Sequence, residues 1–186
     1  GILSASTPIG EDFRIGGSVA KLTRGGYGRN LVQNGVENYN KDVSAARVQA
    51  EWDVSDLIDL RFSADWLLDK SDPKQGHRLI RSLQSGQPVL NNVYDTQAGL
   101  VTPDQRSEAY GGSLVGTWEL NDTWTVKNIL AYREDKSTTP IDFDSLPAID
   151  VDVPAIYEND QFSEELQFLY SGKNLKCETA NLEASS

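Results

Sequence analysis

Residues 57–70, LIDLRFSADWLLDK, change polarity at almost every step. Ile58, Leu60, Phe62, Ala64, Trp66 and Leu68 share one parity, and Asp59, Arg61, Ser63, Asp65 and Asp69 share the other, with Leu67 as an apolar intruder. A period of two belongs to a β-strand with one apolar and one polar face. The stretch is also about twice as long as the usual strand of roughly 5–6 residues. Something must cover its apolar side, and the choice lies between a protein core and lipid.

Other segments repeat the pattern. Phe13, Ile15, Gly17 and Val19 oppose Arg14 and Ser18, and Ala46, Val48, Ala50 and Trp52 oppose Arg47, Gln49 and Glu51. Tyr110, Gly112, Leu114, Gly116, Trp118 and Leu120 oppose Ser113, Thr117 and Glu119. Trp124, Val126, Leu130 and Tyr132 oppose Thr125, Lys127 and Arg133, interrupted by Asn128 on the apolar parity. Leu166, Phe168 and Tyr170 oppose Ser163, Glu165 and Gln167. No window carries a helical i, i+3, i+4, i+7 stripe, so the expected class is all-β and antiparallel.

The connections alternate in length. DVSD after Trp52, NDT after Leu120 and SGKN after Tyr170 are short turns of turn-tolerant residues. Residues 24–41, 70–109 and 134–161 read as long loops, which compact soluble domains seldom contain. Strict alternation in an up-and-down sheet puts every short turn at one end, as in outer-membrane barrels with short periplasmic turns and long extracellular loops. The aromatics agree: Trp52, Trp118, Trp124 and Tyr170 lie near short turns, and Trp66, Tyr110, Tyr132 and Phe162 near long loops, all on the apolar parity. Two aromatic belts around an aliphatic band suit a bilayer with two wet interfaces. A soluble secreted β-sandwich that binds carbohydrate on Trp52, Trp118 and Trp124 is the alternative.

Composition narrows the function classes. A net charge of -11 argues against nucleic acid as a partner. Cys177 and His77 are the sole cysteine and histidine, which leaves no internal disulfide and disfavours zinc sites and Ser-His-Asp chemistry. No nucleophile–base pair or carboxylate dyad is placed by spacing, so neither an enzyme nor a cofactor is expected. There is no apolar run of the roughly 18–20 residues a membrane helix needs, and no signal pattern. The absence of methionine points to a piece of a longer protein.

Several stretches resemble the barrel half of a TonB-dependent outer-membrane receptor: FRIGGSVAKLTRGGYGRNL, ENYNKDVSAARVQAEW, DKSDPKQGHRL, VKNILAYRED and DQFSEELQFLYSG. Tyr39–Asn40–Lys41–Asp42 leading into a strand, Leu130–Ala131–Tyr132–Arg133, and Glu164–Glu165–Leu166–Gln167 before a turn carry the likeness, which spans about residues 10–175. Residues 176–186 depart from it, because a polar tail stands where the family continues with an apolar, aromatic-rich strand.

The resemblance implies a partial barrel domain over residues 1–186, with six strands and the start of a seventh out of roughly 22. It implies a Gram-negative outer-membrane location and import of a scarce large nutrient, with a ferric siderophore as the leading cargo. The implied partners are outer-membrane lipid, the plug domain of the full-length receptor, and the TonB complex acting through a region ahead of that plug. The interface aromatics would be Trp52, Trp66, Tyr110, Trp118, Trp124, Tyr132 and Tyr170. Arg47, Glu51, Asp59, Arg61, Asp65, Lys127, Arg133 and Glu165 would face the lumen, where water or the plug can pair them.

The loops hold weaker candidates. Tyr27 in RGGYGRN, and His77 and Arg78 in a basic stretch, could contact cargo; ordinary loop surface is the plainer account. Asp142 and Asp144, with Asp150 and Asp152, could bind a cation or belong to a solvated acidic loop, and Pro140, Pro147 and Pro154 favour loop over strand there.

Overall fold

A computed structural model describes residues 1–172, 176–180 and 184–185. Seven long strands form one antiparallel meander: β1 (Ile2–Ile9), β2 (Phe13–Arg24), β5 (Lys41–Ser55), β6 (Ile58–Asp69), β7 (Arg106–Asn121), β8 (Trp124–Asp142) and β9 (Asp152–Ser171). A minor hairpin, β3 (Gly28–Arg29) with β4 (Glu37–Asn38), lies within the first loop, and β10 (Lys176–Ala180) and β11 (Ala184–Ser185) pair along β9. There is no helix among the described residues, and the sheet is open. The expected all-β, antiparallel class is therefore observed.

The short turns are built as their residues suggest. The β5–β6 turn narrows to Asp56–Leu57, with a register shift between Asp53 and Ser55. In the β7–β8 turn, Asn121 Oδ1 accepts from the backbone N–H groups of Thr123 (3.0 Å) and Trp124 (3.1 Å), folding the side chain over the turn in place of a ladder bond. The expected SGKN turn includes Lys173 and Asn174, which lie outside the described residues.

Two expectations change. Ile2–Ile9 is a full strand paired from Ile2↔Ala20 to Ile9↔Phe13, although its serines and threonine blur the alternation. The supposed loop 134–161 is mostly strand: β8 runs to Asp142 and β9 starts at Asp152, leaving only residues 143–151 as loop. Pro140 and Pro154 pair with each other inside these strands. Pro154 is tolerated because β10 and β11 pair β9 only between Ser163 and Ser171, and Pro140 because β7 begins at Arg106, opposite Thr138, and leaves one side of β8 open above it. The carbonyl of Pro140 accepts from Gln75 Nε2 (2.9 Å) on that side, so its nitrogen has no ladder partner to lose.

The sheet is a single layer, and among the described residues no second sheet lies over its apolar face. The buried residues lie instead at one end, where the three long loops pack together: Val36, Ala98, Leu100 and Leu146, with the polar Asn30, Asn38, Ser71, Gln75, Ser82, Thr96, Gln97 and Asp142.

Candidate functional site

Two surfaces and a loop cap make up the chemistry of this chain. Pairing places the apolar parity of every long strand on one face. One rung runs Phe13, Trp52, Leu60, Gly116, Asn128 and Leu166, and another runs Ala5, Gly17, Val48, Ala64, Gly112, Tyr132 and Phe162. All seven candidate aromatics are on this face, and Trp118 keeps 51% of its surface exposed. Trp118 and Tyr110, Trp124 and Tyr132, and Tyr170 and Phe162 are each eight residues apart on their strands.

The two aromatic rows cross the hydrogen-bonded rungs obliquely. Near the short turns, Trp118 lies one rung closer to the turns than Trp52, and the paired Trp124 and Tyr170 lie one rung closer again. At the loop end, Trp66 and Tyr110 share a rung, and Tyr132 and Phe162 lie one rung closer to the turns. From β5 to β9 the first row crosses four strand spacings of roughly 4.8 Å and drops four residues of roughly 3.3 Å, a slope of about 35°. The loop-end row drops two residues over the three spacings from β6 to β9, about 25° in the same direction.

At the loop end this face turns polar within a rung, and the ring tips are hydrogen-bonded there. Trp66 Nε1 donates to Glu108 Oε1 (2.9 Å), which Arg106 also holds through Oε2 (2.7 Å). The hydroxyls of Tyr110 and Tyr132 both donate to Glu134 Oε2, the latter at 2.9 Å. Neither glutamate is among the sequence candidates. Their signal is a carboxylate on the apolar parity two residues loopward of an aromatic.

The opposite face gathers all eight candidate charges. Arg133 Nη2 donates to Asp65 Oδ1 (2.8 Å) across the intervening β7, where Gly111 has no side chain to block the reach. A Cβ on Gly111 would stand 2.7 Å from the carbonyl oxygen of Tyr132. Arg14, absent from the sequence candidates, bridges Glu51 (3.1 Å) and Asp53 (2.8 Å). Asp59 and Arg61 form an ion pair at 3.4 Å without a hydrogen bond to Asp59 Oδ1. Glu165 accepts from Gln167 Nε2 (2.8 Å), while Arg47 and Lys127 have no ion-pair partner among the described residues. Leu67, the intruder, lies on a rung of this face with Ala20, Ala45 and Ala109.

The loop cap is held by buried amides. Asn38, 1% exposed, donates through Nδ2 to the carbonyl of Tyr94 (2.9 Å) and to Thr96 Oγ1 (3.1 Å). Asn30 Nδ2 donates to the carbonyl of Ala98 (2.8 Å), and Gln33 Nε2 to that of Leu100 (2.9 Å). Tyr27 stacks on Tyr39 (5.1 Å between centroids), Tyr94 packs edge-on against both, and the Arg24 guanidinium lies 5.2 Å from the Tyr27 ring centre.

The loop candidates take up structural positions in this cap. His77 Nδ1 bonds the carbonyl of Asp95 (2.9 Å), and Arg78 Nη1 donates to that of Asp144 (2.6 Å). Asp142 is 8% exposed; its Oδ1 accepts from the N–H groups of Asp144 (3.0 Å) and Ser145 (3.2 Å), and its Oδ2 has no partner. Burial, and secondarily the Asp144 carboxylate, raise the Asp142 carboxyl above its usual range despite those two donors. Among the described residues no group of three or more His, Cys, Asp or Glu could hold a metal ion, so these aspartates do not assemble into a cation site.

Of the five loop candidates only Tyr27 lines the main cleft of the cap. This cleft of about 770 Å³ is bounded by residues 26–37 with Asn92 and Asp95. Comparison of the chain with protein-family models, curated proteins and solved structures gave no match.

Proposed function

We propose that this chain forms part of the wall of an outer-membrane β-barrel of the TonB-dependent receptor type, importing a scarce large nutrient with energy supplied through TonB. The observation that carries this reading is the slope of the aromatic rows. Strands of outer-membrane barrels tilt by roughly 35–45°, and aromatic girdles that follow the membrane surface must then cross the rungs at that angle. Two rows, read separately, slope the same way, the turn-side row at about 35°, within that range, and the loop-end row at about 25°, below it. The eight residues between them span roughly 26 Å of strand, or about 20 Å of height at that tilt, near the apolar band of about 25 Å.

The exposed face supports the same conclusion. Eight aromatic side chains on it, Trp52, Phe62, Tyr110, Trp118, Trp124, Tyr132, Phe162 and Phe168, each leave on the order of 100 Å² uncovered, together roughly 800 Å², where a soluble monomer rarely exposes a patch above a few hundred. A β-sandwich would cover such a face with a second sheet, and the described residues supply none. Two unpaired sheet edges likewise call for further strands, since backbone groups in hydrocarbon must be paired. The polar face would look onto the lumen and its plug, and the cap onto the outside.

The test is tryptophan fluorescence of the chain in phosphatidylcholine vesicles with acyl chains brominated at defined depths. Trp52, Trp66, Trp118 and Trp124 should be quenched most by shallow bromines. A chain that is folded and monomeric in detergent-free buffer, with unquenched tryptophans, would sink the proposal.

A further inference from the structure

We infer that the cleft in the loop cap takes a neutral, hydroxyl-rich ligand of saccharide type rather than an anionic ferric chelate. The inference rests on the cap being the capture site of the proposed receptor, and it concerns only which solutes that site can hold. At about 770 Å³ the cleft is of ligand-binding size.

An anion needs free backbone N–H groups or a cluster of cations. The cleft offers few such N–H groups and no such cluster. Its backbone donors are largely spent inside the cap: Gly26 N–H on Glu37 Oε2, Arg29 N–H on Asp95 Oδ1, Asn30 N–H on the Val36 carbonyl, and Leu31 N–H on the Thr96 carbonyl. The N–H groups of Val32 and Gln33 both point at Asn30 Oδ1, and that of Glu37 at Asp72 Oδ2. Among charged side chains, one cation, Arg29, faces two carboxylates, Glu37 and Asp95. Of the other arginines of the cap, Arg78 is engaged on the Asp144 carbonyl and Arg81 on that of Gly86, while Arg24, bonded to the Tyr39 carbonyl, lies behind the Tyr27 ring of the lining.

The unspent groups are of another kind. The turn Gln33–Val36, closed by Gly35 at φ +83°, lifts an exposed and unbonded Asn34 to the lip. Gln33 spends its amide nitrogen on Leu100 and keeps its oxygen, whereas Asn92 spends its oxygen on Tyr94 N–H and keeps its nitrogen. Glu37 and Asp95 each keep one carboxylate oxygen. Both donors and acceptors therefore line the cleft, which suits hydroxyls that both give and accept a proton. Leu31 and Val32, both exposed on the lining, supply apolar surface for the C–H face of a sugar ring.

The experiment is calorimetric titration of the folded chain in detergent micelles with maltohexaose, cellohexaose and ferric tris-catecholate. One hexasaccharide should bind, and Asn34→Ala should weaken it about tenfold, the equivalent of one or two hydrogen bonds. The decisive variant is Glu37→Gln, which keeps an acceptor for Gly26 N–H but removes a charge. It should weaken a saccharide severalfold, since a charge-assisted acceptor is lost, and strengthen an anion. Tight ferric tris-catecholate binding that Arg29→Ala abolishes, a gain in hexasaccharide affinity on Glu37→Gln, or binding of neither hexasaccharide would each overturn the inference. Lipid quenching reads the sheet and this titration reads the cap, so either can fail without the other.

Discussion

A charge placed on either side of one strand should separate lipid from water as the covering of the apolar face. Leu114 is four residues from both Tyr110 and Trp118 on β7, so it lies midway between the aromatic rows, with Phe62 and Leu130 beside it on the neighbouring strands. Its neighbour Ser113 has the same depth and the opposite face, where it shares a 2.9 Å hydrogen bond with Ser63. If the face meets hydrocarbon, Leu114→Arg should cost about 2–4 kcal/mol, as for Arg at a bilayer midplane. That is a shift of roughly 30- to 800-fold in the folding equilibrium. Ser113→Arg should cost no more than about 1 kcal/mol, the worth of its hydrogen bond. If water covers both faces, Leu114 is already 41% exposed, and its replacement should cost under about 0.5 kcal/mol. Urea titration of both variants in phosphatidylcholine vesicles, followed by tryptophan fluorescence, measures the difference. Equal costs, or a larger cost for Ser113→Arg, would refute the assignment of faces.

Three further outcomes follow from the cap and the polar face. Asn38→Ala removes the side-chain hydrogen bonds to Thr96 and to the Tyr94 carbonyl, which it strands, so amide exchange around residues 94–100 should show about 1–3 kcal/mol less protection, with mid-strand amides of β7 and β8 unchanged. Because the Asp142 carboxyl is raised, its contribution to cap stability is full below the ordinary carboxylate range and is lost as pH climbs through the raised value. Amides of Asp144 and Ser145 should therefore open more readily at pH 7 than at pH 4 after correction for intrinsic exchange, and Asp142→Asn should flatten that trend; a trend of opposite sign would contradict it. Gly111→Ala puts a Cβ against the Tyr132 carbonyl and should cost about 1–3 kcal/mol in chemical denaturation, whereas Gly10→Ala, with open space around it, is strained only by its φ of +76°.

What the sequence discloses, and what it hides, follows from what each side of a strand meets. Between the aromatic rows the two faces of β5–β9 differ in chemistry, so residues 57–70 must alternate and their parity is legible. The aromatic candidates and the eight charges could be sorted onto opposite faces for this reason alone. Above the loop-end row the difference vanishes. There β8 reads DKSTTPID and β9 reads DVPAIYEND, and the pattern no longer marks a strand although the backbone ladder continues to Asp142↔Asp152. Pairing in that region depends on a neighbour that sequence periodicity does not encode. Ile2–Ile9 is hidden in a similar way: small and hydroxylated residues occupy both of its faces, and only pairing with β2 defines it.

The cap is harder still to read, because its order comes from amide side chains that bond carbonyls more than fifty residues away, as Asn30 does with Ala98 and Asn38 with Tyr94. A short polar side chain in a loop looks the same in sequence whether it is buried or solvated. This explains why His77, Arg78 and Asp142 attract notice as rare or charged residues yet serve the cap's architecture. Asn34 and Asn92, which carry no such signal, stand at the cleft with bonding capacity unspent. Sequence periodicity reports solvent asymmetry, so it identifies the sheet that positions this site, and the residues that would touch a ligand emerge only from counting which hydrogen bonds the cap has already used.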